Sequence, residues 1–249
     1  MKTSNKMLLG ALLILLSGTV IVIIRIRQYV VTDTLTLSGV TTEKTVNISV
    51  LDNLTISGAL DIKVVTSNKN SLLLSGDSTL LGNVKVEDKN NGLAIKLNGL
   101  KNNNHNVTGT IYTTSLQPER IELSSGAFLS TSDTLKPDKL NLVLYSGSQA
   151  NVFVKCKTLN CEAFAGARAE LSGGASDFTT KAFAGANIDA VNLLTENTIA
   201  EASAGAHITV NVTGSLDANC SASGSVRYSG SPEMKNISVG SGGNLSKIE

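Results

Sequence analysis

Glu170 and Asp189 are the two residues of this chain best spaced for catalysis. Glu170 follows Gly166 by four residues, and Asp189 follows Gly185 by four. If the two glycines hold equivalent places in successive turns of a repeated structure, the acids become neighbours on strands about 4.8 Å apart. The two carboxyls of a retaining glycosidase are separated by roughly 5 Å, so hydrolysis or lysis of a polysaccharide is the chemistry to weigh. Asn151 and Thr209 continue the row, and no Arg, Lys or His completes it. The plainer reading is a solvent-facing row that contains two acids. Glu122, Glu162 and Glu201 form a second, interrupted row with Lys181, which reads as a mixed, soluble surface.

Other chemistry is sparse. His105 stands in an Asn-rich segment and His207 two residues after a glycine, neither with a partner at metal-ligand spacing. No phosphate-binding loop, nucleophile elbow or zinc motif occurs, so no metal or cofactor is expected. Cys156, Cys161 and Cys220 are odd in number, which excludes a complete disulfide framework. Cys156 and Cys161 are near enough to pair across a corner; otherwise the three are small buried hydrophobes. With 21 basic and 20 acidic residues the chain has no overall field to attract nucleic acid.

The elements that position these residues are strands. Alternation with period two recurs from about residue 32 onward, as in residues 45–50 (TVNISV), 83–87 (NVKVE) and 93–97 (LAIKL). A tripeptide of small residue, Gly, small residue repeats around Gly126, Gly147, Gly166, Gly185, Gly205 and Gly224, with an earlier copy at Gly58 and a degenerate one at residues 240–242. Spacings of 19 to 21 residues between the regular copies describe one coil of a parallel β-helix, each strand pairing with its counterparts above and below. The seven glycines are read as corner residues, and Val at Gly185 is expected to disturb the stacked corners of several coils.

Positions three and five residues either side of each glycine are mostly apolar and should face inward. They include Ile121, Leu123, Leu142, Leu144, Val152, Leu171, Ile188, Ile208 and Val210, with Ala163, Ala169, Ala182, Ala190, Ala200 and Ala202 in the middle coils. Each Ala in place of Leu forgoes about 2 kcal/mol of burial unless the coil narrows, so a flattened stack is expected there. Two residues before glycine stand Tyr145, Phe164 and Phe183, on the outward parity. They are either an interaction surface, a glycan platform or, if the parity slips at the corner, core. The polar row Gln149, Arg168, Asn187 and His207 adjoins them. Regions 32–83 and 238–249 differ from the repeat and are read as caps.

Residues 7–24 form an apolar run between Lys2 and Lys6 on one side and Arg25 and Arg27 on the other. That length and flanking predict one N-terminal transmembrane anchor. Removal by a signal peptidase, giving a secreted form, is the alternative, although no good cleavage site is present. Thr19 stands where a lipoprotein box needs its Cys. The expected organisation is an anchor over residues 1–28, a linker with first strands over 29–49, and a β-helix domain over 50–249. That domain divides into an N-terminal part, 50–115, and regular coils, 116–249.

The pattern resembles the head GIN domain family of auto-transporter adhesins of Gram-negative bacteria. The resemblance rests on residues 54–65 (LTISGALDIKVV), 72–77 (LLLSGD), 83–87 (NVKVE), 92–97 (GLAIKL) and the serial Ser-Gly-Ala coils after Arg120. It implies a right-handed β-helix, export to the periplasm or cell surface, and adhesion. The middle coils depart from the family in carrying Ala-Gly-Ala, and no translocating barrel follows Glu249. The family motif consists of corner residues, so it implies no catalytic residue. The expectation is a non-enzymatic, envelope-anchored adhesin-like scaffold with Tyr145, Phe164, Phe183 and Arg168 as its interaction surface. Its partner would be an envelope or surface protein or a glycan, with self-association left open. A β-helical carbohydrate-active enzyme is the alternative.

Overall fold

The computed structural model describes residues 37–49, 51–89, 92–98 and 107–248. The apolar run over residues 7–24 and His105 lie outside them. Among the described residues no helix is long and apolar enough to cross a membrane.

The chain begins with β1 (Thr41–Asn47), β2 (Asn53–Ser57), β3 (Leu60–Thr66), β4 (Ser71–Asp77), the short helix α1 (Ser78–Gly82), β5 (Val84–Lys89), β6 (Gly92–Leu97) and β7 (Val107–Thr113). The regular part continues as β8 (Arg120–Ser124), β9 (Phe128–Thr131), β10 (Lys139–Leu144), β11 (Gln149–Phe164), β12 (Arg168–Phe183), β13 (Asn187–Ser203), β14 (His207–Cys220), β15 (Ser225–Gly230), β16 (Glu233–Val239) and β17 (Asn244–Lys247). Phe128 lies beside Gln149, Gln149 beside Arg168, Arg168 beside Asn187, Asn187 beside His207, His207 beside Ser225 and Ser225 beside Asn244, all in parallel pairs. The result is a parallel β-solenoid of about seven turns, whose repeat varies between 18 and 21 residues along those pairs.

Each turn has one sharp corner and one wide bend. At the sharp corner two consecutive residues take positive φ, as at Ala165 (52°) and Gly166 (72°), or Ala184 (53°) and Gly185 (71°). The Ala167 amide then donates to the Phe164 carbonyl at 3.2 Å, closing a turn of the I′ kind. This geometry points the central amide along the solenoid axis. Gly147 donates to Ala165, Gly166 to Ala184, Gly185 to Ala204 and Gly205 to Ala222, at 3.0 to 3.1 Å. The sheet ladder therefore continues through the corner by way of the glycine amide.

The corner corrects three sequence expectations. A Cβ on Gly185 would meet nothing within 4 Å, so a side chain there strains its own backbone and does not press on adjacent coils. Gly224 is not a corner residue: Ala222 and Ser223 hold the left-handed places, at φ 45° and 62°. Gly224 takes the inward place that Ala206 fills one turn earlier, and a Cβ there would overlap the Ala202 carbonyl. The repeat is one residue shorter at that turn, and the two serines flanking Gly224 read alike in either register. Gly58 does stand at a corner, but at its first place, level with Ser125, because Ser57 pairs with Ser124 and Asp61 with Phe128. Its φ is 99° and Leu97 crowds it.

The inward residues named from the sequence are buried without exception. Small ones gather at the sharp corner, where Ala163 and Ala167, Ala182 and Ala186, and Ala202 and Ala206 are almost fully enclosed, while Leu159, Phe178, Leu193 and Leu216 fill the bend. In these three turns the interior therefore tapers toward the corner, whereas Leu123 and Leu144 fill the place of Ala163 in the two turns before them. Close packing requires that taper, since voids beside Ala would forfeit contact energy.

The N-terminal part does not wind in sequence order. β2 pairs with β6 on one side and β8 on the other, and β3 with β7 and β9. The turn made by β2 and β3 is therefore sandwiched between two turns that come later in the chain. Antiparallel β4 and β5 close this end, with Leu80 and Leu81 of α1 buried beneath them, as expected of a cap.

β1 runs antiparallel along β4 with nearly every side chain exposed, so little apolar burial holds it. A latch at Asp77 does instead. The Asp77 carboxylate accepts from the Ser38 hydroxyl (2.9 Å), the Gly39 amide (2.8 Å) and the Thr79 amide (2.8 Å). Desolvation works to raise the Asp77 pKa, but hydrogen bonds from Ser38, Thr79 and Gly39 outweigh it and bring it down to about 2. A carboxyl depressed in the folded state adds stability that is complete above its unfolded value, about 3.9, and is lost as pH falls through the folded value. Exchange protection of the β1 amides should therefore fall between about pH 4 and pH 2. Asp77→Asn should show lower protection at neutral pH and no such fall. In denaturant unfolding, Gly185→Ala should cost about 1 kcal/mol, the price of one left-handed Ala, and Gly224→Ala about 3 kcal/mol or more, because backbone must move.

Candidate functional site

The sharp corner places one outward side chain just before the turn and one just after it. Tyr145, Phe164 and Phe183 occupy the first place in three successive turns and are partly exposed, so the outward parity holds and they are not core. Tyr145 and Phe164 stack with ring centroids 5.3 Å apart and planes 13° from parallel; Phe164 and Phe183 stack at 5.7 Å and 7°. The strand spacing of about 4.8 Å is nearly the spacing of offset-stacked rings, so the register itself enforces the ladder. Near-parallel rings at these separations turn their faces along the solenoid axis and only their edges to solvent. The middle ring therefore offers no free face to a ligand.

The column extends further than the three aromatics. In register below Tyr145 stand Ser124 and then Ser57, whose hydroxyls bond at 3.0 Å. Above Phe183 stand Ser203 and then Ser221, bonded at 3.1 Å. Sequence reasoning missed the outer serines because Gly58 and Gly224 were each placed one residue out of register. Counting the column from the inward residues, Ile56, Leu123, Leu144, Ala163, Ala182, Ala202 and Cys220, would have found them.

After the turn, Gln149, Arg168, Asn187 and His207 lie side by side as expected, with Arg168 and His207 exposed. Arg168 makes no ion pair among the described residues. Glu170 and Asp189 are paired in register and exposed, Asn151 and Thr209 flank them, and the Asp189 carboxylate accepts from the Val191 amide at 3.2 Å. Cations enter this row only further along, Arg227 beyond Thr209, whose hydroxyl it approaches at 3.5 Å, and Lys63 beyond Ser130 on the other side. In the second acidic row Lys181 pairs with Glu201 at 3.3 Å, and Arg120 with Glu122 at 2.8 Å. A surface depression of about 390 Å³, lined by Gln117, Glu119, Lys136, Pro137, Asp138, Lys139 and Asn141, lies elsewhere.

The cysteines are three free thiols. Burial pushes Cys156 up to about 11 and Cys220 upward, and burial with Glu162 beside it holds Cys161 far above the ordinary thiol range. Thiolate, the reactive form, is scarce at all three near neutral pH. No group of three or more His, Cys, Asp and Glu able to hold a metal occurs among the described residues.

The fold of this solenoid is matched in known proteins. Residues 51–232 match the family described as "Putative auto-transporter adhesin, head GIN domain". The chain belongs to this family. A putative adhesin from Bacteroides fragilis is similar at 22% identity and TM-score 0.75, over 86% of this chain and 100% of that one. A putative adhesin from Parabacteroides distasonis is similar at 16% identity and TM-score 0.68, over 85% and 98%. A structure from the same species named a putative lipid binding protein is similar at 17% and 0.68, over 86% and 98%. At these identities the likeness concerns the fold. No curated protein matches the chain.

The ladder makes a stability prediction for this head GIN domain. Phe164→Ala removes two stacks and should cost about 1 to 3 kcal/mol beyond the area lost, whereas Tyr145→Ala or Phe183→Ala removes one and should cost about half of that. Thermal unfolding of the three variants checks the ordering.

Proposed function

We propose that this head GIN domain is a non-enzymatic, adhesin-like binding scaffold, wound right-handed, carried outside the cytoplasm and held to the envelope of a Gram-negative cell by the apolar segment over residues 7–24. The observation that carries the reading is the outward surface of the sharp corner. There the fixed register lines up three aromatics, two serine pairs and the row Gln149, Arg168, Asn187 and His207 along one open edge. Such an edge suits a long partner laid along the solenoid, an envelope or surface protein or a glycan, more than a small substrate needing enclosure. Membership of a family described as adhesins supports the same reading.

The test is attachment by cells carrying the full chain compared with cells lacking it. Attachment should depend on the chain and fall at least about tenfold when Arg168 and Asn187 are both changed to Glu, since each introduces an uncompensated charge at the edge. The rival reading is hydrolysis or lysis by Glu170 and Asp189. Turnover of a polysaccharide panel that disappears in Glu170→Gln, with attachment unaffected by the chain's presence, would establish that reading instead.

A further inference from the structure

We propose that the two ends of the aromatic ladder are ring-sized notches that seat pyranose rings of a glycan, each sugar taking the place of the next rung. This rests on the scaffold reading above and gives its ligand a chemical class. Within the ladder every inner ring face is covered by a neighbouring ring. Two faces remain: that of Tyr145 turned toward Ser124, and that of Phe183 turned toward Ser203. Beyond each, two successive turns carry serine where a ring would otherwise stand, leaving a gap of about two strand spacings.

The two notches are built alike. At each, the next outward residue before the inner serine is a glutamate already held by a cation: Glu122 by Arg120 at 2.8 Å, and Glu201 by Lys181 at 3.3 Å. Each end thus presents an aromatic face, a pair of hydroxyls and a carboxylate with its counter-charge. A pyranose matches all three, because its C–H face carries the partial positive charge that an aromatic face attracts, and its rim of hydroxyls both donates and accepts. A partner's aromatic side chain would cover the ring but would not use the hydrogen-bonding capacity that each serine pair and each paired carboxylate still has to spare. A nucleobase would come with phosphates that a chain of net charge +1 does nothing to attract. One glycan running along the ladder edge could fill both notches and gain from the second contact.

The experiment is NMR titration of the full chain with hexasaccharides of β-linked glucose, of N-acetylglucosamine and of galacturonate. It is repeated with Ser124→Phe/Ser203→Phe, which fills both notches with an added rung, and with Glu122→Gln/Glu201→Gln. At least one hexasaccharide should bind the native chain saturably, with a dissociation constant of roughly millimolar or below. The serine double variant should keep or raise the unfolding temperature and lose binding at least about tenfold, and the glutamine variant should weaken binding about threefold or more. The proposal is overturned if no hexasaccharide binds, or if the serine double variant, or the glutamine variant should the former fail to fold, binds as the native chain does. Absence of saccharide binding with chain-dependent attachment intact would sink the notches and leave the scaffold standing. Loss of both would sink the two together.

Discussion

At five successive corners, from Gly126 to Gly205, the glycine amide donates to the turn above, and most of the architecture answers to that bond. These bonds carry the parallel ladder through the point where the chain changes direction and so keep successive turns in register. Two consecutive left-handed residues form them by aiming the corner amide along the axis. Glycine at the second place relieves the strain of that conformation; the Ala or Ser at the first bears it, and the hydrogen bonds hold it there.

The rest of each turn inherits the geometry of its corner. A sharp turn brings the two sheets close, so the first inward residue after it must be small, and Ala127, Ser148, Ala167, Ala186, Ala206 and Gly224 fill that place in succession. The last inward place before the corner is less restricted, with Ile56, Leu123 and Leu144 in three turns and Ala163, Ala182 and Ala202 in the next three. On the outside, equivalent side chains repeat at the strand spacing, so like sits over like. Aromatics become a stack, serines become hydroxyl pairs, and amides pair as Asn160 does with Asn141. Such a fold offers edges and rows, and it leaves Glu170 and Asp189 open to solvent. Because the backbone carries the constraint, the same winding is reached by structures only 16% to 22% identical.

The N-terminal end solves a different problem. A solenoid end exposes strand edges and the apolar interior, and here antiparallel strands, α1 with its buried leucines, and a turn interposed out of sequence order close it. β1 adds an outer edge held by the Asp77 latch rather than by apolar contact. This end is therefore less regular than the body, and the edge strand that leads to it is held by groups that respond to pH.

The amino-acid sequence by itself determined the class of fold and the inward columns, while it left Tyr145, Phe164 and Phe183 open between an outward surface and the core. Period-two alternation and a recurring glycine are local signals that every turn repeats, so errors in one copy are outvoted by the others. Only the tertiary structure decided which residues share a level. Gly58 and Gly224 look like their fellows in the chain, yet each is offset by one place, because neighbouring turns and not flanking residues set their height. The same holds for the interposed turn of β2 and β3, whose neighbours are chosen by pairing across tens of residues. The ladder's ends were hidden for that reason: Ser57 and Ser221 enter the column only once the register is known. The orientation of the rings, which leaves just two faces free, is a property of stacking and not of any one residue.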